Sequence, residues 1–174
     1  MTAVILAGGK SSRMGRDKLK LNFGGTTLLE GAVQRFGRCF DRVLVSVSDL
    51  AKYPEIKAEK VLDIYKDTGP IGGLHAALTL TKGPVFLTAA DMPFSSPEAA
   101  LRLIELCGDN DVCVLTDGEG QYEPLFAYYK YSVLEPADRA IKEGKNSLYA
   151  LYDGLRVKKI SPSDLGGLWS DRLL

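Results

Sequence analysis

Apolar runs of strand length alternate with helix-like segments from one end of this chain to the other, and the connections between them are short. No linker rich in Ser, Gly or Pro interrupts the alternation, and no internal repeat or low-complexity tract occurs. Together these observations predict an α/β fold with a mostly parallel sheet covered by helices on both faces. At 174 residues and 45% apolar content, residues 1–174 are expected to form one domain with a proper core.

The elements follow in order. Residues 3–7 read as the first strand, and residues 27–39 as a helix that Thr27 and Glu30 open with capping-box spacing. Residues 43–47 form a second strand and 61–63 a shorter third. After a glycine-rich turn, 72–80 reads as a helix, and 85–88 as the fourth strand, ending in the loop Asp91-Met92-Pro93. Residues 96–107 are helical: Ser95 stands three residues before Glu98, and Pro97 sits near the first helical position. Residues 112–116 are a strand, and an acidic, glycine-rich turn at 117–120 leads into the strand-like 122–128. Helical segments at 132–143 and 147–152 precede a last strand at 155–160.

Acidic and basic residues balance at 22 each, which argues against a nucleic-acid or membrane partner. Any positive field must be local, and residues 10–20 are the place for one. Cys39, Cys107 and Cys113 are an odd count without metal spacing, and reduced, buried or half-buried thiols are expected. The N-terminus lacks a basic region and its first apolar run is brief. The expectation is therefore neither a signal peptide nor a membrane span, and a cytoplasmic location.

The densest chemistry lies in Val4-Ile5-Leu6-Ala7-Gly8-Gly9-Lys10-Ser11-Ser12-Arg13-Met14-Gly15-Arg16-Asp17-Lys18. A buried strand breaks into paired glycines, which permit a tight turn and expose N–H groups to an anion. Two arginines and two lysines follow within nine residues, cations suited to a polyphosphate. A Walker loop is excluded because its first glycine would fall at Val4. The dinucleotide fingerprint fails because the glycines stand at 8, 9 and 15. A flexible basic surface loop is the alternative.

In open parallel sheets ligands bind at the carboxyl ends of the strands, near the point where strand order reverses. Gly8 and Gly9, Ser46 and Ser48, Asp63, and Asp91 all fall at such ends. Asp91 at the mouth of a buried strand is placed to hold Mg²⁺, which takes one or two carboxylates plus substrate oxygens. Opening a turn before Pro93 is its alternative role. Thr68-Gly69-Pro70-Ile71-Gly72-Gly73 before a helix lets a base or ribose approach backbone closely, or is an ordinary tight turn. His75, just inside that helix, reads as a packing or capping residue, and no Ser–His–acid or Cys–His set points to covalent catalysis. Positioning, a metal and cations on a leaving group are what nucleotidyl transfer needs.

Leu6-Ala7-Gly8-Gly9, Ser12-Arg13-Met14-Gly15 and Asp17-Lys18 together resemble the signature of nucleotidyltransferases, whose fold is a three-layer α/β/α sandwich on a mostly parallel, Rossmann-like sheet. The further order of Asp63, Gly69-Pro70-Ile71-Gly72-Gly73 and Ala90-Asp91-Met92-Pro93-Phe94 is most similar to the molybdenum cofactor guanylyltransferases. The resemblance runs from residue 3 to about residue 130. It implies that Leu6, Ala7 and Gly8 contact GTP with Gly9 beside them, that Lys18 binds the triphosphate, and that Arg13 assists the leaving pyrophosphate. Asp63 would meet the nucleoside and Gly72 would lie in its binding surface. Ser46 stands where the family often has asparagine near base or ribose. Asp91 would ligate Mg²⁺, so Arg13, Lys18 and Asp91 form the implied catalytic set, and Glu123-Pro124-Leu125 resembles the segment that opens the acceptor side.

The implied reaction transfers GMP from GTP to the terminal phosphate of molybdopterin, with protein partners in cofactor delivery. An aromatic–Asn-x-Asn-Thr-Pro segment usual in the family, which helps hold the pterin, would begin where this sequence stops, at Ser170-Asp171-Arg172-Leu173-Leu174. The acceptor is therefore less defined than the nucleotide. A related transferase using CTP or another phosphate acceptor, and a non-catalytic GTP-binding module, remain the alternatives.

Overall fold

The computed structural model describes residues 1–7, 17–117 and 119–168. The sheet consists of β1 (Thr2–Leu6), β4 (Arg42–Val47), β5 (Glu59–Leu62), β6 (Val85–Ala89), β7 (Val112–Thr116), β8 (Tyr122–Tyr129) and β9 (Val157–Ile160). Their spatial order is β5-β4-β1-β6-β8-β7-β9. The β1, β4, β5 and β6 strands are mutually parallel, as are β7 and β9, while β8 runs antiparallel to both its neighbours.

Side-chain alternation along these strands builds the layers. Val4 and Leu6 point to one face, where they meet α2 (Pro70–Thr81) and α4 (Leu134–Lys142). Ala3 and Ile5 point to the other, covered by α1 (Leu28–Phe36), α3 (Pro97–Leu106) and α5 (Pro162–Leu165). Because both faces are covered, β1, β6 and β7 read as nearly continuous apolar runs rather than alternating ones. The α2 helix is buried along eight consecutive residues, Ile71 to Leu78.

Some boundaries differ from the sequence expectation, each for a local reason. The α2 helix begins two residues earlier than residue 72, because Pro70 presets its first turn after Gly69. Gly69 sits at φ 66, ψ −151, a conformation open essentially to glycine alone. Ser96, not Ser95, caps α3: its hydroxyl accepts the N–H of Ala99, whereas Ser95 is buried and donates to the Met92 carbonyl. The α1 helix ends at Phe36 rather than Cys39, although Thr27 does cap it by accepting the N–H of Glu30. The segments expected at 132–143 and 147–152 are 3₁₀ turns at Tyr131–Val133 and Leu148–Leu151 flanking a shorter α4. The small ribbon of β2 (Asn22–Phe23) and β3 (Thr26–Thr27), and α5, carried no recognised signal. Cys107 and Cys113 are buried and Cys39 half-buried, as expected. No helix among the described residues is long and apolar enough to cross a membrane.

Candidate active site

Chain order places a crevice at the carboxyl edge of the sheet. From β1 the chain passes to β4 and β5 on one side, then crosses through α2 to β6 on the other. The chain therefore leaves β1 and β6 at the point where strand order reverses, the general ligand position in such sheets. Register aligns Leu6 with both Ser46 and Ala89. Pairing continues one step past the strands: Ala7 N–H donates to Ser46, Asp63 N–H to Val47 and Ala90 N–H to Leu6, at 3.0–3.1 Å. Leu6, Ala7, Ser46, Asp63 and the chain entering Asp91 thus share one rim.

Within that rim Ser46 Oγ donates to Asp63 Oδ1 at 2.8 Å. Ser46 is buried, and burial of Asp63 raises its carboxyl above the usual carboxylate range; the Ser46 bond and the nearby Lys52 ammonium pull it back. Gly73 packs directly on this pair. A Cβ there would lie 2.5 Å from Leu6 Cδ2 and 2.6 Å from Ser46 Oγ, so the first turn of α2 reaches the rim only because residue 73 has no side chain. Gly72 is as close to Thr68, whose Oγ1 a Cβ would meet at 2.1 Å.

Asp91 lies just beyond β6, its side chain exposed. Among the described residues, its carboxylate accepts no hydrogen bond from the turn it enters, which separates it from an ordinary turn-capping aspartate. Glu123 faces the same space. Burial raises its carboxyl, the N–H of Leu125 at 3.0 Å lowers it, and the charges of Asp91 and Asp117 push it further up. Among the described residues no three His, Cys, Asp or Glu side chains form a metal-holding group. An exposed carboxylate on the same side as a second carboxyl, which burial raises, is a hard-oxygen donor set with an open side. That chemistry fits Mg²⁺ shared with a substrate's phosphates.

Lys18 is exposed on the 3₁₀ turn Lys18–Lys20, which Asp17 caps by accepting the N–H of Leu19 at 3.1 Å. Asp17 is itself anchored by Tyr53, whose buried phenol donates to Asp17 Oδ2 at 2.8 Å and stands 3.5 Å from the Ala7 carbonyl. Tyr53 thus ties the described end of the 7–17 loop to its start. Gly8, Gly9 and Arg13 lie outside the described residues. The sequence offered no sign of Tyr53, a loop tyrosine 36 positions from its partner. A cleft of about 350 Å³ lies beside Glu123, Pro124 and Leu125, the segment expected on the acceptor side, and its other wall, Pro70 and the segment from Asn146 to Tyr149, carried no signal in the sequence. His75 is a buried packing residue, as expected, its ring against Tyr65 at 5.2 Å between centroids.

A mostly parallel sheet between two helical layers, with this rim at its switch point, defines the class as an α/β nucleotidyltransferase fold. The chain matches the MobA-like NTP transferase domain over residues 3–158 and belongs to that family. It is 33% identical over 161 residues to a probable molybdenum cofactor guanylyltransferase of Methanosarcina mazei, covering 86% of this chain and 72% of that one. A protein of the same name from Mycobacterium avium is 32% identical over 166 residues, covering 92% and 84%. Among solved structures, molybdopterin-guanine dinucleotide biosynthesis protein A of Archaeoglobus fulgidus superposes with a TM-score of 0.81 at 29% identity, covering 95% of this chain and 85% of that one.

Proposed function

We propose that this protein is a Mg²⁺-dependent guanylyltransferase that transfers GMP from GTP to the terminal phosphate of molybdopterin, releasing pyrophosphate. The observation that carries the reading is the single rim holding Leu6, Ala7, the Ser46–Asp63 pair, the α2 glycines and Asp91, in a chain whose relatives bear the guanylyltransferase name. An ionised oxygen of the acceptor phosphate attacks the α-phosphorus of GTP. The bond from that phosphorus to the bridging oxygen breaks, and its electron pair leaves with pyrophosphate. The attacking oxygen carries no proton, so no strong general base is needed. Asp63, held by Ser46, accepts donors of the nucleoside, while Lys18 and Arg13 offset charge growing on the leaving group. Bound at Asp91, Mg²⁺ would supply Lewis-acid neutralisation of the phosphate oxygens. The cleft beside Glu123 receives the acceptor.

The test is thermal shift with GTP, CTP and ATP under matched Mg²⁺, followed by product analysis with molybdopterin. At a hundredfold over its dissociation constant GTP should add about 2.7 kcal/mol. Stronger stabilisation by CTP would sink the base assignment, and GTP binding without a guanine dinucleotide product would sink the acceptor. Asp91→Asn should cost about a hundredfold or more in rate, because the amide keeps the shape and loses the charge.

A further inference from the structure

One half-buried cation lies outside the set just described. Arg35, on the last turn of α1, reaches across to the loop that carries Asp91. Its Nη2 donates to the Met92 carbonyl at 3.1 Å and lies 3.5 Å from Ser95 Oγ. The same carbonyl accepts from Ser95 Oγ at 2.9 Å and from the Ser95 N–H at 3.2 Å. Three donors therefore converge on the peptide oxygen one residue after Asp91. Half-burial of the guanidinium lowers its pKa, and its Nε is buried without a partner among the described residues. Among the described residues the guanidinium is held by neutral partners, the Met92 carbonyl and the Ser95 hydroxyl.

We propose that Arg35 is a positioning residue for nucleotidyl transfer, holding the Asp91 carboxylate at the rim by fixing the Met92 carbonyl behind it. This rests on the reading of Asp91 as the metal carboxylate. Arg35 touches neither substrate nor metal; it restricts the loop so that the carboxylate is already placed when metal and nucleotide arrive, as outer partners of metal ligands do.

The full chain with bound GTP is titrated with Mn²⁺ and the free ion counted by electron paramagnetic resonance, for wild type, Arg35→Gln, Arg35→Lys and Asp91→Asn. Arg35→Gln should weaken Mn²⁺ binding about tenfold or more, with GTP affinity in EDTA unchanged, and Arg35→Lys should recover part of the loss. Wild-type Mn²⁺ affinity in Arg35→Gln overturns the proposal. Should that variant not fold, Arg35→Lys decides alone: weakened binding supports the role and unchanged binding overturns it. Asp91→Asn separates the two ideas. If it leaves Mn²⁺ binding intact, the metal reading falls and this proposal with it. If it weakens binding while the Arg35 variants do not, only the role of Arg35 falls.

Discussion

Asp63 illustrates how one residue can serve binding at the expense of stability. Burial raises its carboxyl, so its ionised form carries a cost in the folded protein at neutral pH. The stability this group contributes is full below about 3.9, the usual aspartate value, and is lost as pH rises through its elevated folded value. Asp63→Asn removes that cost and leaves an amide oxygen for Ser46. The variant should be slightly more stable at pH 7, by under about 1 kcal/mol, and should bind GTP more weakly. Wild-type affinity should fall as pH drops through the elevated value, and the Asn variant should lose that dependence; urea unfolding and calorimetric titration read the two effects. Lys18 is the opposite case, an exposed side chain. Lys18→Ala should alter stability by less than about 0.5 kcal/mol, while GTP affinity falls about tenfold or more through the lost charge-assisted contact. An unchanged dissociation constant would remove Lys18 from the site.

At the scale of elements, the rim depends on how closely α2 lies against β1 and β4. Alanine is favoured over glycine inside a helix by about 1 kcal/mol, so Gly73→Ala would stabilise an isolated helix. Here its Cβ would press on Leu6 and Ser46 at 2.5 and 2.6 Å, and overpacking of this kind typically costs about 1–3 kcal/mol. The steric term should win. A net destabilisation together with a weaker Ser46–Asp63 pair is expected, seen as a lower denaturation midpoint and a raised GTP dissociation constant; a stabilised variant with normal affinity would refute the close-packing account. The position of Asp17 depends on Tyr53 in a similar way. Tyr53→Phe keeps the ring packing and removes the bond to Asp17, so about 1 kcal/mol of stability should go. The KM for GTP should rise with kcat little changed, and an equal fall in kcat would contradict a purely positioning role.

Over the whole molecule, the far end of the sheet is secured by one aspartate. Asp111 accepts from the Arg156 backbone and guanidinium at 3.1–3.3 Å and from Ser132 Oγ at 2.9 Å, joining the β7 entrance to β9. The Arg156 side chain first, helped by its backbone N–H and Ser132, lowers the Asp111 carboxyl to about 2. A depressed carboxylate contributes stability that is present above the usual value near 3.9 and lost as pH falls toward the folded value. Acid titration should therefore weaken the protein between about pH 4 and pH 2, and Asp111→Asn should be less stable than wild type at pH 7 but converge with it at pH 2. A constant gap across that range would show that the charge is not what holds these strands. Rim and anchor lie at different parts of the molecule, so Asp63 and Asp111 substitutions should be additive.

Local patterns were enough to reveal the alternation of strands and helices and the polar residues just past strand ends, Asp63 and Asp91 among them, because each depends on neighbours within a few positions. Even there, Ser96 rather than Ser95 caps α3, since two adjacent serines look alike until burial assigns one to the Met92 turn. Tertiary structure alone decided which strand ends adjoin. It seated Ser46 on Asp63 across 17 positions, brought Tyr53 to Asp17 across 36 and carried Arg35 to Met92 across 57. Those contacts are made by sheet register and the crossover through α2. A side chain's type and spacing record what it can do; only the packed sheet brings it to the partner with which it does it.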